Sequence, residues 1–196
     1  MSELREKLLD AALKEVKKSG YAGASVSDIL KEAGAKKGSL YHNFGSKKDL
    51  ILKMIEERVN NELKEESITL EQNEMNHLDQ IIHFFQDSSQ RDCINGCVLG
   101  TLMQELSYED KDFNQALNKS LELWQEVFNI QLKNAQEKNE IKKDVNIDEL
   151  STFLMAILQG AVMVTKIQGN DKRYNQSINQ VVIYLKVKDL KLDLLF

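Results

Sequence analysis

The 196-residue chain contains no proline. Most multi-stranded or loop-rich folds of this length use some, so long uninterrupted helices are expected. Its only two cysteines, Cys93 and Cys97, exclude a secreted disulfide scaffold. The opening residues, Met1-Ser2-Glu3-Leu4-Arg5-Glu6, hold no apolar signal core. The most apolar run, Phe153 to Ile167, is short for a spanning helix and is broken by Gln159 and Lys166. The expectation is a cytoplasmic protein with no membrane partner. A Gly-rich phosphate loop, a nucleophile elbow and an acid–base pair at a diagnostic spacing are all lacking, so neither an enzyme nor a bound cofactor is expected. Metal binding has little to draw on beyond the two cysteines. What remains is the balance of a folded protein: 42% hydrophobic and 29% charged residues, enough chain for one or two domains.

The net charge of −5 argues against a nucleic-acid partner until its distribution is considered. Residues 1–60 carry a net +3 and residues 61–196 a net −8. Between 31 and 53 stand Lys31, Lys36, Lys37, Lys47, Lys48 and Lys53, opposed only by Glu32 and Asp49. A small basic end on an acidic body is the asymmetry to explain.

Hydrophobic spacing predicts helices throughout. Leu8, Leu9, Ala12, Leu13 and Val16 mark the first, with Gly20 as its stop. Ser25 and Asp28 read as a capping box for a short helix ending at Gly34. A second short helix is expected from Lys37 to Asn43, broken by Gly45. Ser46 and Asp49 form another capping box, opening a longer helix through Leu63. Two short helices joined at Gly34-Ala35-Lys36 make a helix-turn-helix candidate. Residues 64–75 read as a linker or frayed helix end. Further helices are expected near Met75–Ser89, Ile94–Leu106, Phe113–Lys138, Asn146–Ile167 and Tyr174–Leu190. The fold is therefore all-α: a three-helix helix-turn-helix domain over residues 1–50, a connecting helix to about 64, and a larger helical ligand-binding and dimerisation domain over 65–196.

As one string, SVSDILKEAGAKKGSLYHNFGSKKDLIL (25–52) resembles the DNA-binding region of TetR-family transcriptional regulators. The matching elements are Ser25, Ile29-Leu30, Ala33-Gly34, Gly38-Ser39-Leu40-Tyr41, His42-Asn43-Phe44 and Ser46-Lys47-Lys48-Asp49-Leu50. The resemblance implies a recognition helix beginning near Lys37 that enters the DNA major groove. Lys36, Lys37, Gly38 and Ser39 would face the DNA, with Gly38 letting the backbone approach. Tyr41, His42 and Ser25 are further contact candidates. Lys47 and Lys48 would meet phosphate at the start of the next helix. Leu40 and Phe44 would hold the recognition helix on its neighbours. Lys36 stands where the family often has a Ser or Thr cap, and Ala35 replaces a commoner branched residue.

The resemblance further implies a homodimer formed through the last two long helices, and a near-palindromic operator in double-stranded DNA. Half-sites would lie one helical turn apart, ~34–36 Å. A repressor released by a small molecule is the expected behaviour. The string Cys93-Ile94-Asn95-Gly96-Cys97-Val98-Leu99-Gly100, with Gly160-Ala161 and Lys166, is similar to an electrophile-sensing and acrylate-responsive subgroup of that family. It makes Cys97 the candidate reactive thiol and Lys166 its candidate neighbour, since a thiolate is the reactive form. Buried packing and metal binding stand beside that reading for Cys97, and Cys93 reads as structural. Trp124 is a candidate for lining an inducer pocket. The competing functions are an all-α interaction module without DNA binding and a cysteine-based enzyme; the first leaves the lysine-rich end unexplained, and the second lacks a local signature for a base.

Overall fold

The computed structural model describes residues 3–71, 75–86, 94–108 and 110–189. Among these every regular element is helical. The order is α1 (Glu3–Gly23), α2 (Val26–Ala33), α3 (Lys37–Phe44), α4 (Lys47–Met54), a π-helical turn (Ile55–Val59), α5 (Asn60–Glu71), α6 (His77–Gln86), α7 (Val98–Leu106), α8 (Lys111–Glu137), α9 (Ile147–Gln168) and α10 (Lys172–Asp189). The chain divides into two compact units. One comprises residues 1–64 and 97–123, the other 65–96 and 124–196. The stretch from Cys97 to Leu123 thus groups with the N-terminal helices, although it lies beyond residue 64 in sequence.

In the first unit α1 packs against α2, α4 and α7. Leu8, Leu9, Ala12 and Val16 are the buried stripe of α1. They share a core with Ile29, Leu40, Leu50, Ile51, Met54, Ile55, Leu102 and Phe113. The short helices are held by their ends as much as by their sides. Ser25 accepts the Asp28 N–H at 3.1 Å, and Gly34 closes α2 in the left-handed region at φ 62°. Ser46 accepts the Asp49 N–H at 3.0 Å and donates to the Asp49 carboxylate at 2.6 Å. Each serine satisfies an amide that an eight-residue helix could otherwise only give to water. Arg5 makes a bidentate pair with Glu57, and Arg58 reaches Asp10 at 2.6 Å and Glu6 at 2.9 Å, tying α1 to the π-helical turn. Inside, Ser120 donates to Asn60 Oδ1 at 2.6 Å, so two buried polar groups satisfy each other.

Among the helix boundaries, two differ from the sequence expectation: α5 continues to Glu71 through the stretch expected to be a linker or frayed end, and α7 starts late. Gly20 breaks α1 where the sequence places its stop: the backbone leaves the helical region there, at φ 71° and ψ −178°, and a further helical turn follows the kink to Gly23. α7 begins at Val98 rather than Ile94, because Gly96 sits at φ 90° and Cys97 takes the cap position.

The second unit is built on an aromatic cluster. Phe85 stacks on Phe128 at 5.7 Å, and Phe84 meets the same ring edge-on at 5.5 Å. Trp124 is buried 6.4 Å from Phe128. Tyr174 is fully buried, with its hydroxyl donating to the Phe85 carbonyl at 2.8 Å. α9 and α10 pack together along Leu154, Leu158, Ile178, Val181 and Leu185. Asn146 caps α9, accepting the Asp148 and Glu149 N–H groups. The apolar run judged short for a membrane is part of a 22-residue helix, which by length and composition alone is long and apolar enough to cross one. Its Leu150, Leu154, Met155, Leu158 and Ala161 are buried in the protein together with Ser151 and Thr165, so one face packs in the core while Phe153, Met163, Val164 and Ile167 are exposed.

Candidate nucleic-acid interface

Eight residues form α3, and only Leu40 and Phe44 are buried. Their spacing of four places both on one face, against the hydrophobic core of the first unit. Phe44 also lies beneath the Arg5 guanidinium, 5.3 Å from the ring centre. The opposite face is exposed at Lys37, Gly38, Tyr41 and His42. Lys36 occupies the cap position of α3 without a side-chain cap bond. Its ammonium is therefore carried outward at the helix start. That end combines two lysines with the positive end of the helix dipole. Space above Gly38 is open: an added Cβ would meet nothing within 4 Å. The Lys37 ammonium lies 5.9 Å from the Tyr41 ring centre, so the two side chains share the exposed face. Ser39 is half-buried, with its carbonyl accepting from the Asn43 amide at 2.7 Å. Ser25 stands at the start of α2, its hydroxyl committed to Asp28 and 2.7 Å from that of Ser27.

The lysines that open α4 are engaged within the protein. Lys47 donates to the Tyr21 carbonyl at 2.5 Å and lies 4.2 Å from the Tyr21 ring centre. Burial there pushes its ammonium below the usual lysine value, with the Glu105 carboxylate opposing the shift. Lys48 reaches Asp110 at 2.7 Å and Asp112 at 2.6 Å. The hydrogen bonds it donates to those two carboxylates hold its pKa well above the usual lysine range. Asp110 shifts the opposite way, below the usual carboxylate range, chiefly through Lys48. Nothing local foretold these partners, because Asp110 and Asp112 lie 62 and 64 residues further along the chain. Tyr21 packs edge-on against Phe113 at 5.2 Å, and Glu105 accepts the Ala22 N–H at 3.0 Å. The end of α1, the start of α4 and the α7–α8 corner thus form one polar and aromatic cluster.

Among the residues expected in the larger domain, Cys97 is half-buried, and its sulfur accepts the Gly100 N–H at 3.5 Å at the start of α7. Lys166 runs across Gly96, where an added Cβ would sit 2.9 Å from its Cδ. Trp124 belongs to the aromatic cluster. Cys93 lies outside the described residues. No group of three or more His, Cys, Asp or Glu side chains suited to a metal ion occurs among the described residues.

Known proteins give a consistent picture. Residues 8–54 match the family of bacterial regulatory proteins known as tetR, and residues 75–181 match the tetracycline repressor-like C-terminal domain. The HTH-type transcriptional repressor DhaR of Mycobacterium sp. strain GP1 is 28% identical over 178 residues, covering 91% of this chain and 90% of its own. The reduced form of NemR from E. coli superposes with a TM-score of 0.82 at 26% identity, over 92% of this chain and 95% of its own. A regulatory protein TetR from Rhodobacter sphaeroides superposes at 0.85, also 26% identical, over 93% and 99%.

Proposed function

The chain belongs to the TetR family of bacterial regulatory proteins, and on that premise we propose that it is a homodimeric transcriptional repressor that binds operator DNA with α3. One observation carries the reading: α3 buries Leu40 and Phe44 and exposes Lys36, Lys37, Gly38, Tyr41 and His42 around its start. An α-helix fits the major groove, and lysine donates to guanine edges or to phosphate. Ser25, Ser39 and Lys47 complete the proposed contact set, joined by Lys48 when Asp110 and Asp112 release it. The compact basic end explains how a chain of net charge −5 binds a polyanion. The working compartment is the bacterial cytoplasm, where the DNA is, and the role is regulatory rather than catalytic.

Dimerisation is assigned to α9 and α10. Phe153, Met163, Val164 and Ile167 on the first and Ile183 and Tyr184 on the second are exposed. Phe153 and Tyr184 lie 5.2 Å apart, so the two helices present a continuous apolar face. Exposed apolar surface of this kind supports a partner subunit. A twofold dimer requires a near-palindromic operator.

Release from the operator is assigned to a small-molecule inducer bound in the larger domain near Trp124, or to electrophile or oxidant modification of Cys97. Its sulfur marks the N-terminus of α7, and the DNA-binding unit contains that helix. Lys166, in the other unit, is assigned as a separate ligand candidate, and Cys93 is assigned a structural part. The test is titration onto duplex DNA from upstream of the protein's own gene, against a scrambled competitor. Two protomers per site, preference over the competitor and steep salt dependence are expected. Binding that ignores salt refutes the proposed docking.

A further inference from the structure

One of the acids on Lys48 is fixed by a helix cap. Asp110 uses its Oδ1 to accept the N–H groups of Asp112 at 2.9 Å and Phe113 at 3.3 Å, which caps α8. Its Oδ2 is left for Lys48. The Lys48 ammonium therefore sees two anionic oxygens from different carboxylates, at 2.7 and 2.6 Å. A DNA phosphodiester offers the same thing: anionic oxygens at charge-assisted hydrogen-bond distance. The side chains of Lys48, Asp110 and Asp112 keep 34%, 31% and 65% of their exposure, so solvent reaches all three. Exposed ion pairs of this kind contribute little net stability, and exchange for a phosphate is close to balanced.

Resting on the DNA-binding reading above, we propose that Asp110 and Asp112 stand in for an operator phosphate on Lys48, so that the α7–α8 corner competes with DNA and sets the affinity of the DNA-binding unit. The corner is well placed for this. Glu105 holds the Ala22 N–H and Phe113 packs on Tyr21, so the acids are anchored on the unit they restrain. A rearrangement of the corner that withdraws the acids frees a cation for the backbone. One that keeps them in place leaves the protein a phosphate contact short.

The test is Asp110→Asn with Asp112→Asn. Asparagine at 110 retains the side-chain oxygen that caps α8. Binding is followed by fluorescence anisotropy on the upstream duplex over a series of salt concentrations. The expected result is about three- to ten-fold tighter binding near physiological salt, with log K against log salt steeper by about 1, for one further phosphate neutralised. Adding Lys48→Ala to the asparagine pair removes the gain. Asp112→Asn alone leaves the cap untouched and gives a smaller gain of the same sign. Asp144→Asn with Asp171→Asn removes two charges elsewhere and serves as the control. An equal gain from the control overturns the proposal, as does unchanged or weaker binding by the asparagine pair. A wild-type protein that binds no duplex at any salt overturns the DNA-binding reading itself. Wild-type binding that the asparagine pair leaves unmoved overturns only the competition.

Discussion

Replacing Gly20 by alanine tests how the end of α1 is held. The backbone there lies at φ 71° and ψ −178°, a region that a side chain makes costly. Forcing a Cβ into it costs about 1–3 kcal/mol. The added carbon would also fall 1.8 Å from Glu105 Oε1. Glu105 can swing away, but it then gives up the Ala22 N–H that it accepts at 3.0 Å. A hydrogen bond to a charged group is worth about 1.5–3 kcal/mol. The two effects together predict a loss of about 2.5–6 kcal/mol, or a thermal midpoint lower by roughly 5–24 °C for a chain of this length. Thermal unfolding by circular dichroism measures it. A double-mutant cycle separates the causes: in a Glu105→Ala background only the backbone strain remains, so Gly20→Ala costs about 1–3 kcal/mol there. Strictly additive effects, or a Gly20→Ala protein as stable as the parent, refute this account.

Three further outcomes are expected. Tyr174→Phe deletes the buried bond to the Phe85 carbonyl and lowers stability by about 1–2 kcal/mol, read from urea midpoints at unchanged m-value. Glu57 is held below the usual carboxylate pKa by Arg5, so its contribution is present at neutral pH and fades as the pH falls through the carboxylate range. Urea unfolding at pH 7 and at about pH 4 should therefore show a smaller acid loss for Glu57→Gln than for the parent. Cys97→Ser should bind operator like the parent yet resist release by an alkylating electrophile in a mobility-shift assay; release equal to the parent's removes the thiol from the mechanism.

The parts legible in the sequence are those set by neighbours along the chain. Ser25 with Asp28 and Ser46 with Asp49 are capping boxes whose partners are three residues apart, and both form as read. Gly34 closes α2 for a reason carried by glycine itself. The four-residue spacing of Leu40 and Phe44 decides which face of α3 is buried. What escaped depends on tertiary contact. Gly20 breaks the helix as read, but Glu105 and Lys47, far along the chain, help to hold the turn that follows it. Lys47 and Lys48 read as open cations because Tyr21, Asp110 and Asp112 reach them through the fold. His77 pairs its Nδ1 with Gln131 at 2.9 Å, a partner 54 residues away that no local pattern marks. The grouping of Cys97 to Leu123 with the N-terminal helices has no compositional mark at all.

The central claim is that the exposed start of α3 recognises operator DNA. The most direct measurement compares the parent with a Lys36→Ala/Lys37→Ala variant on the upstream duplex and on its scrambled counterpart, across a salt series. The account predicts a folded variant with preference for the upstream duplex reduced about ten-fold or more, and a salt slope shallower by about 1–2. A variant that keeps both the parent's preference and its slope would contradict it, and would place DNA binding on another surface.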